Sequence, residues 1–227
     1  MTYDTTKKFY NSRKHKLNHP FNGYEKILEN YSQAYQDLFV LSMLDGKLNG
    51  KYVEIGAYDA KIFSNTFVLE SIFNWKGFSI EIDKTRCENF NNDRDRQNRC
   101  YLGDATKFDY LSAMMTEKWK NRIDYLSVDC EPSYNTLKSL LQFPIDKYRC
   151  SVITFEHDLY TDGSDILDKS RKYLTDKGYQ LVCSNVNNVL NPFEDWWVDP
   201  QVVSEEVWKP FVCSNMESQN IFLQRIT

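Results

Sequence analysis

The feature that most limits which fold this chain can adopt is a predicted buried strand followed by a turn at a single glycine. The stretch KYVEIGAYDAKIFSNT, residues 51–66, predicts a strand from Lys51 to Ile55, a turn at Gly56 and a helix that opens near Ser64. Corners of this kind hold nucleotides in α/β proteins. A dinucleotide fingerprint has the spacing G-x-G-x-x-G, whereas this turn has Gly56 alone and carries a carboxylate, Glu54, within its strand. The corner therefore predicts an α/β fold that binds something other than a dinucleotide.

Strands and helices alternate along the rest of the chain. Further strands are predicted at 77–82, in RCYLGDA, at 122–131, at 148–158, in GYQLVCSN and in SQNIFLQRI. Helical patterns between them imply right-handed crossovers and a mostly parallel sheet with helices on both faces. The last two strands have no clear helix between them, so we expect an antiparallel edge there. Residues 31–227 are expected to form one domain, with an irregular, aromatic and acidic insertion at about 186–217.

The composition narrows the classes of function. A net charge of −4 argues against a nucleic-acid or membrane-surface binder, although residues 1–30 form a basic arm that is expected to be a solvated tail or a partner contact. The six cysteines form no C-x-x-C pair, which argues against zinc and for a reducing compartment. No apolar run resembles a secretory signal or a membrane span. We therefore expect a cytoplasmic protein with a small-molecule or glycan substrate and no nucleic-acid partner; the oligomeric state is left open.

Acidic residues close the predicted strands one after another. They are Glu54, Glu81, Asp83, Asp104, Asp129, Glu131, Glu156 and Asp158. In a doubly wound sheet, ligands bind outside the carboxyl ends of the strands, where these side chains are expected to meet. A row of acids does not suit a pyrophosphate, which needs amide donors. It suits S-adenosylmethionine, which has a sulfonium, an ammonium, a ribose diol and an adenine amine but no phosphate.

The chemistry of the ligand suggests a role for Gly56 and for three of these acids. Gly56 lets the backbone approach the ligand closely. Glu81, at the tip of the second strand, is placed to accept both ribose hydroxyls in a bidentate contact. Asp104 is expected to accept from the adenine amine. Glu54 is expected to fix the turn or to meet the ammonium end of the ligand through water.

Several motifs together resemble the FkbM-type S-adenosylmethionine-dependent methyltransferases. They are SQAYQD, VEIGAYDAKIFSNT, WKGFSIEID, DYLSVDCE and TFEHD, and the resemblance covers roughly residues 31–185. It implies a Rossmann-like class I methyltransferase fold, with a seven-stranded, mostly parallel sheet whose last strand is antiparallel. It also implies O-methyl transfer to sugar or natural-product hydroxyls. The chain departs from the family where Ala60 replaces the glycine of a D-G pair and Pro132 the glycine of D-x-E-G.

The strand ends and the resemblance together give a set of cofactor-binding candidates. These are Gln36, Glu54, Gly56, Ala57, Tyr58, Asn65, Thr66, Glu81, Ile82, Asp104, Ala105 and Asp129. Gln33, Gln36 and Asp37 match the first motif of the family and are expected to cap the methionine end of the cofactor.

Methyl transfer to a hydroxyl requires an aligned acceptor and removal of its proton. The candidate catalytic residues are His157, Asp129 and Glu131, with His157 as general base because an unperturbed imidazole titrates near neutrality. Alternatively, Mg²⁺ or another divalent cation bound by Asp129, Glu156 and His157 would acidify the hydroxyl. The sequence leaves both routes open.

The segment PFEDWWVDP, residues 192–200, is the candidate substrate contact. Trp196 and Trp197 are expected to stack on a sugar ring while Glu194 and Asp195 accept from its hydroxyls. Alternatively, the tryptophans merely cover the sheet edge. Other functions stay open as well: a catalytically silent S-adenosylmethionine- or sugar-binding module, a nicotinamide-dependent oxidoreductase, and a nucleic-acid methyltransferase, which would need a basic groove.

Overall fold

The computed structural model describes residues 10–188 and 191–226. Its strands are β1 (His15–Leu17), β2 (Lys51–Ile55), β3 (Lys76–Glu81), β4 (Arg99–Leu102), β5 (Arg122–Val128), β6 (Arg149–Glu156), β7 (Gln180–Asn188), β8 (Asn191–Val198), β9 (Cys213–Ser214) and β10 (Leu223–Arg225). Its α-helices are α1 (Gln36–Met43), α2 (Phe67–Ser71), α3 (Lys84–Asn92), α4 (Tyr110–Thr116), α5 (Ser133–Gln142), α6 (Leu159–Asp162), α7 (Ser164–Asp176), α8 (Glu205–Trp208) and α9 (Ser218–Phe222).

One large sheet organises the molecule, in the strand order β4-β3-β2-β5-β6-β8-β7-β9. Strand β8 runs antiparallel to its neighbours β6 and β7, and the other neighbouring pairs of this sheet are parallel. The predicted α/β class is therefore confirmed. The sheet has eight strands rather than the expected seven, because Cys213–Ser214 adds a short strand beside β7.

The sheet separates two hydrophobic cores because successive side chains of a strand point to opposite faces. On β2, Tyr52 joins the core that contains Phe39 of α1 and Leu69 of α2. Its neighbour Val53 joins the second core, with residues of α4, α5 and α7. Helices thus cover both faces, as predicted, and leave the carboxyl ends of the parallel strands for a site.

The two ends of the described chain pair with each other. Strand β1 lies antiparallel to β10 in a separate two-stranded sheet, with Leu17 opposite Leu223. Tyr10, Phe21 and Ile27 are buried, so the expectation of a solvated tail is wrong for residues 10–30. Residues 1–9 of the predicted arm lie outside the described residues.

The C-terminal strands differ from the prediction. SQNIFLQRI forms helix α9 and the short strand β10, and it does not enter the large sheet. The antiparallel strand is instead β8, which lies inside the expected irregular insertion. The acids beside the tryptophans did not suggest a strand at β8, yet both acids are buried and hydrogen-bonded. Glu194 accepts from Gln36 and Trp196, and Asp195 accepts from Arg171.

Among the described residues, no helix combines the length and the apolar character that crossing a bilayer requires.

Candidate active site

A cavity of about 600 Å³ lies at the carboxyl ends of β2, β3, β4, β5 and β6. Seven acids line it, namely Glu54, Glu81, Asp83, Asp104, Asp129, Glu131 and Glu156. Among the described residues, Arg86 is the one Lys, Arg or His in the lining. The sequence therefore predicted the place and the charge of the cavity from the acids at the strand ends.

Gly56 allows the turn after β2 to meet the end of β5. Its φ is 86°, and a Cβ at this position would lie 1.6 Å from the backbone oxygen of Asp129. The backbone N–H groups of Gly56 and Ala57 both donate to the oxygen of Ile80, at 3.0 and 3.2 Å. A side chain at Gly56 would thus separate two walls of the cavity.

Glu81 is held in place by the backbone around it. One carboxylate oxygen accepts from the N–H of Tyr58 at 2.9 Å, and the other accepts from the N–H of Asp83 at 2.8 Å. The side chain is 7% exposed and lines the cavity. Since each carboxylate oxygen has a second lone pair, a pre-oriented pair of acceptors remains for a diol.

Tyr58 and Arg86 form the outer wall beside Glu81. Tyr58 has a φ of 54° and is 46% exposed, and the guanidinium carbon of Arg86 lies 4.1 Å from the centre of its ring. Both residues line the cavity. The sequence did not indicate Arg86 as a site residue, because an arginine in the first turn of a polar helix is ordinarily solvated.

Asp104 stays ionised at the opposite wall. Lys107 donates to it at 2.7 Å, and Thr106 donates from its hydroxyl at 2.7 Å and from its N–H at 2.9 Å. These bonds lower the pKa of Asp104 to about 2. Ala105 and Ile82, which are predicted cofactor contacts, also line the cavity.

The Glu54 carboxylate interacts mainly with other side chains of the protein, so it is not a free acceptor for a ligand. One of its oxygens accepts from the hydroxyls of Ser79 at 2.6 Å and Thr66 at 3.0 Å, with a nitrogen of Arg96 at 3.8 Å. Burial raises its pKa, against the opposing effect of Arg96. Of the two roles expected for Glu54, this arrangement fits the fixing of the turn.

Some of the predicted cofactor-binding residues line the cavity, and the others are buried behind its wall. Gln33, Tyr58, Asn65 and Asp129 line the cavity together with the residues above. Four candidates do not belong to the lining and are buried in the wall behind it: Gln36, Asp37, Ala57 and Thr66. Asp37 accepts from Asn30 and Ser32, and burial raises its pKa to about 6. Gln36 and Asp37 therefore support the wall without facing a ligand.

Asp129 and Glu156 form a carboxyl pair at the inner end of the cavity. A hydrogen bond joins the two side chains, and it lowers the pKa of Asp129 while raising that of Glu156. Burial raises the pKa of both groups, most strongly for Glu156. Of the two carboxyls, Glu156 therefore holds a proton more readily than Asp129.

His157 does not reach the cavity. Its side chain is fully buried, Nδ1 accepts from the N–H of Leu159 at 3.2 Å, and Nε2 lies 3.5 Å from a carboxylate oxygen of Asp195. Because successive residues of a strand point to opposite faces, Glu156 faces the cavity and His157 faces away from it. The geometry therefore contradicts the prediction of His157 as general base.

The predicted metal site fails for the same reason. Across residues 10–188 and 191–226, no three His, Cys, Asp or Glu side chains converge in a way that would hold an ion. Asp129 and Glu156 do meet, but His157 points away from them, and their bond to each other occupies ligand positions.

The predicted substrate contacts on β8 are also wrong. Trp196 and Trp197 are 0% and 1% exposed, and they belong to the two separate cores on opposite faces of the sheet. The ring of Trp196 stacks on Phe39 with centroids 4.9 Å apart, and because the side chain is fully buried neither face is left for a sugar. Glu194 and Asp195 are likewise buried.

Comparisons with known proteins support the fold. No family model matches the chain, and no curated protein matches it either. Among solved structures, a candidate rRNA methylase from Clostridium thermocellum superposes with a TM-score of 0.51 and 13% identity, over 74% of this chain and 96% of that one. A fibrillarin/Nop5p complex gives a TM-score of 0.50 and 14% identity, over 79% of this chain and 85% of that one. The chain thus has the Rossmann-like class I methyltransferase fold.

Proposed function

We propose that this protein is an S-adenosylmethionine-dependent methyltransferase that methylates a hydroxyl of a sugar, a glycan or a sugar-containing metabolite. One observation carries the proposal. Glu81 stands at the tip of β3 with its carboxylate fixed by two backbone N–H groups, inside an acid-lined cavity of a class I methyltransferase fold. An aligned pair of acceptors at this position suits a ribose diol and does not suit a phosphate.

The lining offers residues that would hold each part of the cofactor. Glu81 would hold the ribose, Ile82, Ala105 and Asp104 would hold the adenine, and the Tyr58–Arg86 pair would cover the outer side. Gly56, Gln33 and Asn65 would hold the methionine end. When bound, S-adenosylmethionine supplies an electrophilic methyl group on a sulfonium.

Asp129 is the group best placed to take the proton of the acceptor. It lines the cavity as the more acidic member of the carboxyl pair, and its hydrogen bond with Glu156 orients it. Asp129 would accept the proton of the hydroxyl, whose oxygen would take the methyl group as its bond to the sulfonium sulfur breaks. Positioning and general-base help of this kind contribute most of what a methyl transfer needs.

The charge of the cavity lining favours a carbohydrate acceptor over a nucleic-acid acceptor. Seven acids against one arginine repel a phosphate backbone, which requires Lys and Arg contacts. This disfavours a nucleic-acid acceptor, even though one structural neighbour is a candidate rRNA methylase. A donor-rich carbohydrate fits the acceptor-rich wall, in keeping with the FkbM-like motifs.

Substitution of Glu81 tests the proposed cofactor site. Glu81→Gln removes the charge of the diol acceptor, so S-adenosylhomocysteine should bind about 10- to 100-fold more weakly, because a hydrogen bond to a charged group contributes roughly 1.5–3 kcal/mol. Isothermal titration calorimetry measures this. The control is Glu117→Gln, an exposed acid outside the cavity lining, which should bind like the wild type. Equal affinity in both variants would argue against this site.

A further inference from the structure

Two cysteines are paired at the edge of the large sheet that β9 forms. Cys183 of β7 and Cys213 of β9 are register partners in a parallel pair, so their side chains lie on the same face of the sheet. A hydrogen bond joins the two thiols. Neighbouring strands lie about 4.8 Å apart, which is within the roughly 4.4–6.8 Å that a disulfide allows between its Cα atoms. The two free thiols are therefore placed for a direct bond between them.

The two thiols of this pair differ in access and in acidity. Cys183 is 0% exposed, and its thiol donates to the backbone oxygen of Phe211 at 3.3 Å, whereas Cys213 is only partly buried. The hydrogen bond from Cys183 lowers the pKa of the Cys213 thiol, against the opposing effect of burial. Burial raises the pKa of Cys183 well above its usual value. Because the thiolate is the reactive form, Cys213 is the thiol that reacts first.

The other four cysteines lack this combination. Cys87 and Cys100 are also neighbours, with the Cys87 thiol 3.5 Å from the backbone oxygen of Cys100, but both side chains are buried and burial raises the pKa of Cys100. Cys150 is fully buried, and burial raises its pKa too. Cys130 is partly buried, and burial raises its pKa to about 12. None of these four combines access from solvent with a lowered pKa.

We propose that Cys213 and Cys183 form a peroxide-sensitive thiol pair that closes reversibly to a disulfide. The Cys213 sulfur attacks one oxygen of hydrogen peroxide; the S–O bond forms as the O–O bond breaks, and the thiol proton leaves with the second oxygen as water. The Cys183 sulfur then attacks the sulfenic sulfur of Cys213. The S–S bond forms as the S–O bond breaks, and the Cys183 proton leaves with that oxygen as water. Two thiols are thus oxidised while one peroxide is reduced to two waters, and a thiol reductant reverses the bond.

The disulfide would fasten a short edge strand to the rest of the sheet. Strand β9 is paired with β7 at two positions, Cys183 with Cys213 and Ser184 with Ser214. A bond between the cysteines closes a covalent loop that contains β8 and α8. Because such a loop constrains the unfolded chain, oxidation should raise the midpoint of thermal unfolding by about 5 °C or more.

Peptide mapping of the oxidised protein tests the proposal. The full chain is reduced, treated with an equimolar amount of hydrogen peroxide, unfolded in iodoacetamide to block the remaining thiols, and digested without reduction for mass spectrometry. The expected product is a peptide pair linked through Cys183 and Cys213, which dithiothreitol separates. Cys213→Ser should give no such link and leave Cys183 open to alkylation. Cys130→Ser, which removes the other partly buried thiol, should form the link as the wild type does.

Three results would overturn the proposal. They are a Cys213 that stays reduced while other cysteines are oxidised, a Cys213 that is oxidised to sulfinic acid with no link to Cys183, and a link that joins Cys213 mainly to another cysteine. A linked protein that unfolds at the same temperature as the reduced protein would overturn the stabilising role of the bond. These measurements need no cofactor, so they are independent of the proposed methyltransferase activity.

Discussion

Gly56 is the residue on which the shape of the site depends most directly. Its φ of 86° is unfavourable for other residues, and a Cβ there would overlap the backbone oxygen of Asp129 at 1.6 Å. We expect Gly56→Ala to lower the free energy of unfolding by about 2–4 kcal/mol, from backbone strain and overpacking together. Urea denaturation followed by circular dichroism measures this, and cofactor binding should fall with it.

Gly178 provides the control for that substitution. It has a similar φ of 77°, and the nearest heavy atom that an added Cβ would meet is the end of the Arg149 side chain at 3.9 Å. Gly178→Ala should therefore cost only the backbone strain, about 1 kcal/mol. Equal losses in the two variants would show that the contact between the turn and β5 contributes nothing.

Glu194 makes stability depend on pH. Burial, with Asp129 nearby, raises its pKa from 4.5 to about 8 despite the bonds from Trp196 and Gln36. The native state therefore keeps this proton in a range where the unfolded chain has released it, so the free energy of unfolding falls as pH rises from about 4.5 to about 8. Between pH 5.5 and 7.5, Glu194→Gln should remove about 2–3 kcal/mol of that fall.

Denaturation curves at several pH values check this prediction. Glu117→Gln, which changes an exposed acid, should follow the wild-type profile. The other buried acids also titrate, so the quantity to compare is the difference between variant and wild type. Parallel profiles for Glu194→Gln and the wild type would mean that Glu194 is already ionised in the native state.

At the scale of elements, β8 is the strand that joins the two halves of the sheet. It lies between β6 and β7, and Trp196 packs against Phe39 of α1 at 4.9 Å and Phe222 of α9 at 5.8 Å. Trp196→Ala should lower the free energy of unfolding by about 3–5 kcal/mol, as large-to-small core substitutions do. Val212→Ala, at a 55% exposed side chain, should change it by less than about 0.5 kcal/mol. If urea denaturation gave Trp196→Ala the same free energy of unfolding as the wild type, β8 would not be a core strand.

Strand β8 could not be predicted from local sequence patterns. Apolar runs and turn residues were sufficient to predict β2, β3, β5 and β6, because strands buried on both faces carry long apolar runs. Strand β8 carries Glu194 and Asp195 among its aromatics, and its partners Gln36 and Arg171 are distant in sequence. Local patterns contain no information on such long-range pairs.

The candidate site was predictable to a similar degree. Acids that close successive parallel strands must meet at one edge, which placed Glu81, Asp104 and Asp129 correctly in one cavity. The direction of a side chain at a strand end depends on where the strand stops and turns. His157 was therefore assigned to the wrong face, and Arg86 was overlooked because its contact with Tyr58 is tertiary.

At the scale of the whole molecule, the fold places its acids at one end and its buried aromatics in the two cores. The pairing of β1 with β10 joins the start and end of the described chain, and neither strand contributes to the cavity lining. Net charge alone, at −4, did not reveal this separation, since bases elsewhere on the surface offset the acids of the cavity. The distribution of charge thus indicates more about the ligand than its sum does.

Calorimetric titration of the wild-type protein with S-adenosylhomocysteine, and in parallel with NAD⁺, distinguishes the proposed cofactor from a dinucleotide. We expect one site per chain for S-adenosylhomocysteine with a dissociation constant in the micromolar range, about −8 kcal/mol, and no binding of NAD⁺. The fixed acceptors of Glu81 suit a ribose, while the acidic lining repels a pyrophosphate. Binding of NAD⁺ with equal or greater affinity, or no binding of S-adenosylhomocysteine, would contradict it.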